Sequence, residues 1–159
     1  MPRGSRDPCS GHPARHGGPL ERCVMDAQRL KRNFALVGEH GIDVAEYFYA
    51  DLFEQNPQVR SLFGGAMAKQ HEKLLAALSH IVGAVDDEAE LVPYLRDLGR
   101  RHNGFGVVAE HYPHVGASLI ATLAHFSGPE WNADLERDWT AAYGVVAQVM
   151  QEAAADPVA

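Results

Sequence analysis

The chain has 159 residues and a formal net charge of −7, with hydrophobic residues at 46% and charged residues at 22%. That length holds one ordinary domain with a sizeable core rather than two. The composition excludes global disorder, and the acidic balance argues against nucleic acid or an anionic membrane as partner, since either needs a clustered basic face.

Residues 1–24 differ from the rest: four Gly, four Pro and four Arg stand against two acidic residues, with no apolar period. They read as a flexible or non-native leader, and Met25, followed by the helix-start pattern Asp26-Ala27-Gln28, as a candidate true start. Cys9 and Cys23, the chain's only cysteines, fall here, which argues against a disulfide framework. Together with His12 and His16 they are zinc-ligand types, but their spacing matches no common zinc module. No run approaches the roughly 18 apolar residues of a membrane span and no apolar signal core is present, so the expectation is a soluble, cytoplasmic protein.

From Met25 onward the apolar period is helical. Leu30, Phe34 and Val37 predict a first helix ending near Gly38 to Gly41, and Ala45, Phe48, Tyr49, Leu52 and Phe53 predict a second. Pro57 opens a short helix to Leu62, and Gly64-Gly65 break the chain after Phe63. Leu74, Leu75, Leu78, Ile81, Val82 and Val85 carry a long helix up to Asp86-Asp87-Glu88, acidic residues that favour the start of the next helix. That next helix carries His102, and Gly104-Phe105-Gly106 end it. Tyr112, Val115, Leu119, Leu123 and Phe126 mark another helix, Ser127-Gly128-Pro129 a turn, and Leu135, Trp139, Ala142, Tyr143, Val146, Val149 and Met150 the buried stripe of the last. No segment alternates with a period of two, and the fold class is all-α with about seven helices.

His102 is the most informative position. Leu91, Leu95, Leu98 and His102 are spaced by four, three and four residues, which puts the imidazole on an apolar helical stripe. An unpaired buried polar group costs about 1–3 kcal/mol, so the ring needs a partner. A backbone carbonyl and a metal ion both qualify. Read singly, Tyr49 and Gln70 fit ordinary helix packing, and Phe63 fits plain core. His40, His80, His111, His114 and His125 read as solvated or half-buried, and Glu54, Asp86, Asp87, Glu88 and Glu90 as an acidic surface.

Several strings, taken in order, bear a resemblance. Phe48-Tyr49, Asn56-Pro57-Gln58-Val59-Arg60-Ser61-Leu62-Phe63, Gln70, His102, His111-Tyr112-Pro113-His114-Val115-Gly116 and Trp139-Thr140-Ala141-Ala142-Tyr143-Gly144-Val145 resemble single-domain bacterial haemoglobins and the globin domain of flavohaemoglobins. The resemblance implies a globin domain over residues 25–154, followed by a tail at 155–159, packed around haem b (iron protoporphyrin IX). It implies His102 as the proximal iron ligand, with the sixth position open to dioxygen, nitric oxide or another diatomic gas. Tyr49 and Gln70 then correspond to distal residues that hold the bound gas, Leu74 to an apolar wall one turn from Gln70, Phe63 to an aromatic residue against the porphyrin, and Arg101 to a cation at the propionates. His71, about 100° from Gln70 around the helix, is not expected to compete for the iron.

Tyr112 corresponds to a tyrosine that shares a hydrogen-bond network with a last-helix glutamate and tunes the proximal histidine. Here Ala154 occupies the glutamate position, and Glu152 lies two residues earlier, about 200° away around a helix. The family continues into a flavin and nicotinamide reductase module, whereas this chain ends soon after its last helix, so electrons are expected from a separate reductase. The implied activity is oxidation of nitric oxide to nitrate with bound dioxygen, with Tyr49, Gln70 and Tyr112 as the reactive set. Dioxygen storage or supply, and a gas-sensing or haem-free interaction globin, are the other readings. The oligomeric state, monomer or homodimer, stays open.

Overall fold

The computed structural model describes residues 26–63 and 66–155. The leader with its four candidate zinc ligands, Met25, the Gly64-Gly65 break and residues 156–159 lie outside the described residues. Six α-helices follow in order: α1 Ala27–Gly38, α2 Ile42–Gln55, α3 Met67–Gly83, α4 Glu88–Gly104, α5 His111–Ser127 and α6 Ala133–Ala155. Two 3-10 turns, Pro57–Leu62 and Gly128–Glu130, join α2 to α3 and α5 to α6. Among the described residues there is no strand, as the missing period of two predicts, and no helix is long and apolar enough to cross a membrane.

Side-chain chemistry sets the helix starts. The Asp26 carboxylate accepts from the Arg29 amide at 3.1 Å to cap α1. Asp87 accepts from the Glu90 amide at 3.3 Å to cap α4, with Glu88 and Glu90 in that first turn. Gly41, with φ of +59°, makes the sharp entry to α2 that a side chain would strain.

The helices pack as two bodies of apolar contact. One gathers Leu30, Val37, Val44, Phe48, Tyr49, Leu52, Leu119, Leu123 and Trp139 from α1, α2, α5 and α6. The other gathers Leu91, Leu95, Tyr112, Ala147 and Met150 from α4, α5 and α6. Within the first, buried Asn33 ties three segments: its amide donates to Ser127 Oγ at 2.9 Å and Glu130 Oε2 at 2.8 Å, and its carbonyl accepts from Trp139 Nε1 at 2.8 Å. Both ends of that amide are satisfied, which is the condition for burying it without penalty. Ser118 donates to Asp51 Oδ2 at 2.8 Å and fastens α5 to α2.

Helices α4 and α6 cross in close contact at Gly99. A Cβ on Gly99 would collide with the Met150 carbonyl oxygen and lie 2.7 Å from the Met150 Cα, so only glycine lets the two backbones meet. Gly116 plays the same part on α5, where a Cβ would sit 2.7 Å from Tyr143 Cε2.

Candidate functional site

Helices α3 and α4 are joined by a short turn and touch beside it. There the His80 ring stacks on Tyr94 at 4.0 Å and its Nε2 lies 3.2 Å from Glu90 Oε2. Away from that junction each helix leans elsewhere, α3 on α2 and α1, α4 on α6. The apolar face of α3 is consequently under-covered. Of its 17 residues only Val82 is buried, while Leu74, Leu75 and Leu78 stay half-exposed. Leu98 of α4 is half-exposed too. Large aliphatic side chains left partly exposed in this way are a surface that an apolar ligand can cover.

Tyr49 from α2, 5% exposed, stands on the α3 side of this region. The Gln70 amide donates to its hydroxyl oxygen at 3.1 Å. Because the oxygen is the acceptor in that bond, the phenol keeps its hydrogen to donate. Burial raises the Tyr49 pKa and the Gln70 bond lowers it, with a net rise that keeps the phenol protonated. Phe63, half-buried after the first 3-10 turn, presents its edge to Tyr49 at 5.4 Å, and Phe53 lies 5.7 Å away. Arg60 Nη1 donates to the Phe63 carbonyl at 2.7 Å and holds the turn's end.

On the α4 side, His102 Nδ1 lies 2.9 Å from the Leu98 carbonyl oxygen. A carbonyl only accepts, so Nδ1 carries the proton and Nε2 the lone pair. Burial lowers the His102 pKa, the Leu98 bond opposes this, and neighbouring Arg101 lowers it further; the net fall favours neutral imidazole. A neutral ring oriented through Nδ1–H to a backbone carbonyl is the usual preparation of a metal ligand. The carbonyl partner takes Nδ1 and leaves Nε2 free, so the two partners considered from the sequence do not exclude each other.

Other expected residues are placed less simply. Arg101 is exposed and pairs with Asp97, Nε to Oδ2 3.0 Å, a surface pair that exchanges easily. Tyr112 is buried in the α4–α5–α6 cluster, its carbonyl accepting from Tyr143 Oη at 2.7 Å. Glu152 is exposed and accepts from Gln148 at 3.2 Å, while Ala153 and Met150 take the buried face of α6. The carboxylate near Tyr112 is therefore not replaced by Glu152, because the helical phase of α6 turns that side chain outward.

Sequence reasoning missed the contact that His71 makes. Its ring stacks on Tyr49 with centroids 5.5 Å apart and planes at 29°. It also missed the aromatic partners of the other histidines: His125 stacks on Tyr47 at 4.3 Å and His40 meets Phe126 at 4.8 Å. No local period signals such contacts.

The chain is all-α, with an imidazole on α4 whose Nε2 keeps its lone pair and a phenol–amide pair between α2 and α3. The family profile named Globin matches residues 46–150, and the chain belongs to that family. It is 30% identical over 124 residues to a flavohemoprotein of Chromobacterium violaceum, covering 76% of this chain and 31% of that protein. A flavohemoprotein of Bordetella parapertussis is 31% identical with the same coverage. The chain thus spans about a third of the length of these curated relatives. Among solved structures, an engineered carbene transferase made from a candidate nitric oxide dioxygenase of Rhodothermus marinus superposes with a TM-score of 0.73 at 27% identity, covering 81% of this chain and 90% of that one. The bacterial globin of Campylobacter jejuni, at 22% identity and a TM-score of 0.71, covers 80% of this chain and 93% of its own and shares the fold. Globin membership implies haem binding, and the His102 lone pair, the Tyr49 hydrogen and the apolar surface of the half-exposed α3 leucines suit it.

Proposed function

We propose that this protein is a globin whose haem b is held by His102, and that it binds dioxygen and uses it to oxidise nitric oxide to nitrate, with electrons from a separate reductase. When bound, haem supplies an iron that takes up a diatomic gas and performs the redox chemistry. His102 would hold the metal through Nε2, with the Leu98 carbonyl fixing the ring's tautomer and plane. Leu74, Leu75, Leu78 and Phe63, partly buried against the core, would give the haem an apolar surface.

The observation that carries the reading is the Gln70–Tyr49 hydrogen bond. By accepting from Gln70, the phenol is directed to donate its hydrogen away from the protein, toward a ligand with partial negative charge. Retaining dioxygen strongly suits chemistry on it better than release. The likeness to flavohemoproteins and to a candidate nitric oxide dioxygenase supports the same reading.

Absorption spectra of the ferrous and carbon monoxide forms test haem ligation, and His102→Ala should lose the five-coordinate ferrous spectrum. Stopped-flow mixing with nitric oxide, then turnover with a supplied flavin reductase, tests the activity. Tight dioxygen binding without turnover by any competent reductant would leave storage or supply as the function.

A further inference from the structure

Two consecutive residues of α3 touch the same phenol in different ways. Gln70 donates to the Tyr49 hydroxyl oxygen at 3.1 Å, and half-buried His71 lies along the Tyr49 ring at 5.5 Å with the planes 29° apart. The step of about 100° between neighbours on a helix allows one to reach the tip of the phenol while the other covers its side.

A tyrosine ring turns easily about its last side-chain bond unless packing stops it. That rotation leaves the hydroxyl oxygen in place, since the oxygen lies on the axis. It does move the hydrogen, because conjugation keeps the O–H in the plane of the ring. The ring plane therefore leaves two directions for the hydrogen, and the Gln70 amide takes one of them by donating to the oxygen from its side.

We infer that His71 is a positioning residue for Tyr49: its imidazole sets the ring plane, and with Gln70 this fixes the single direction in which the phenol donates. The inference rests on the reading of Tyr49 as donor to the bound gas. Phe48, Phe63 and Phe53 meet the same ring, but Phe48 at 78° and Phe63 at 73° meet it edge-on, which leaves the imidazole at 29° to set the plane together with Phe53 at 31°. His71 itself need not touch the ligand or the metal.

The test uses the haem-loaded protein and its haem-free form. One aromatic pair is worth enough for His71→Ala to speed dioxygen dissociation about three- to tenfold. The C–O stretching band of the carbon monoxide complex should broaden or split as the hydrogen loses its single direction. His71→Phe restores a flat ring and should return both readouts to near the parent value, whereas His71→Leu, of similar bulk without the ring, should not. In a Tyr49→Phe background His71→Ala should add nothing, since nothing remains to be oriented. In the haem-free protein, ring-flip rates of labelled Tyr49 by NMR should rise in His71→Ala and not in His71→Phe.

Unchanged ring flipping, or equal effects of phenylalanine and leucine at position 71, would overturn the inference. Should Tyr49→Phe alone leave dioxygen dissociation unchanged while ring flipping still depends on His71, the donor reading falls and the positioning role stands.

Discussion

The Gln70 amide donates to the Tyr49 hydroxyl oxygen at 3.1 Å, and this one bond leaves the phenol its hydrogen to donate elsewhere. Tyr49→Phe removes the donor while keeping the ring, and hydrogen bonds to charged groups are worth about 1.5–3 kcal/mol, so dioxygen should dissociate about ten- to a hundredfold faster. Gln70→Leu should act in the same direction but less, because the phenol keeps its hydrogen and loses only its guide. Flash photolysis or stopped-flow dissociation on both variants checks the order, and a larger effect at Gln70 would make the amide the donor and the phenol its guide.

Gly99 is the second position where one atom matters. A methyl group there meets backbone of Met150, and backbone cannot rotate away as a side chain can. Gly99→Ala should destabilise by about 3 kcal/mol, the upper range for overpacking, as read by urea or thermal unfolding. Adding Met150→Ala should give no rescue, since the clash is with the main chain. Because His102 lies three residues further along α4, the variant should also hold haem less firmly, measured by haem transfer to an acceptor protein.

What was legible in the sequence followed local period. The leucine stripes of α3 and α4 and the helix starts at Asp26 and Asp87 depend on residues three or four apart, and all appear in the structure. His102 stood out by its place on the apolar stripe of α4, while its role as ligand, like Tyr49 and Gln70, was reached through a resemblance; the structure joins Tyr49 and Gln70 directly. The Asn33 knot was not legible, because its partners lie 94, 97 and 106 residues away. The Gly99–Met150 crossing was hidden for the same reason, and a glycine within a helix carries no local sign of what it admits. His71 was discounted because its angular distance from Gln70 turned it from the site on a helical wheel, yet Tyr49 is broad enough for both to reach.

Asp138 provides a pH test away from the site. Its side chain is 7% exposed and its Oδ2 lies 2.9 Å from Arg29 Nη1. Burial raises its pKa above the ordinary 3.8, and Arg29 only partly offsets this. The folded state therefore binds more protons than the unfolded state just above pH 3.8, and this group's contribution to stability falls as pH rises through that window. Asp138→Asn should remove that slope. At pH 7 it should change stability by less than about 1 kcal/mol, because relief from burying a charge offsets the lost pairing. Urea unfolding from the acid side of that window up to neutrality measures both.

On the proximal side, the family network would join Tyr112 to a carboxylate of the last helix, but the nearest candidate by sequence, Glu152, is exposed and engaged with Gln148 at 3.2 Å. Glu152→Gln should therefore leave stability within about 0.5 kcal/mol of the parent, the usual size of a surface change. It should also leave the Fe–His stretching frequency of the ferrous protein where it was. Tyr143→Phe is the informative partner, since Tyr143 Oη donates to the Tyr112 carbonyl at 2.7 Å from a half-buried position. Its loss should cost about 1 kcal/mol. Resonance Raman spectra of both variants decide the matter: a frequency that moves with Glu152 would put a carboxylate back beside Tyr112, and one that ignores it leaves the Leu98 carbonyl as the group that sets the basicity of His102.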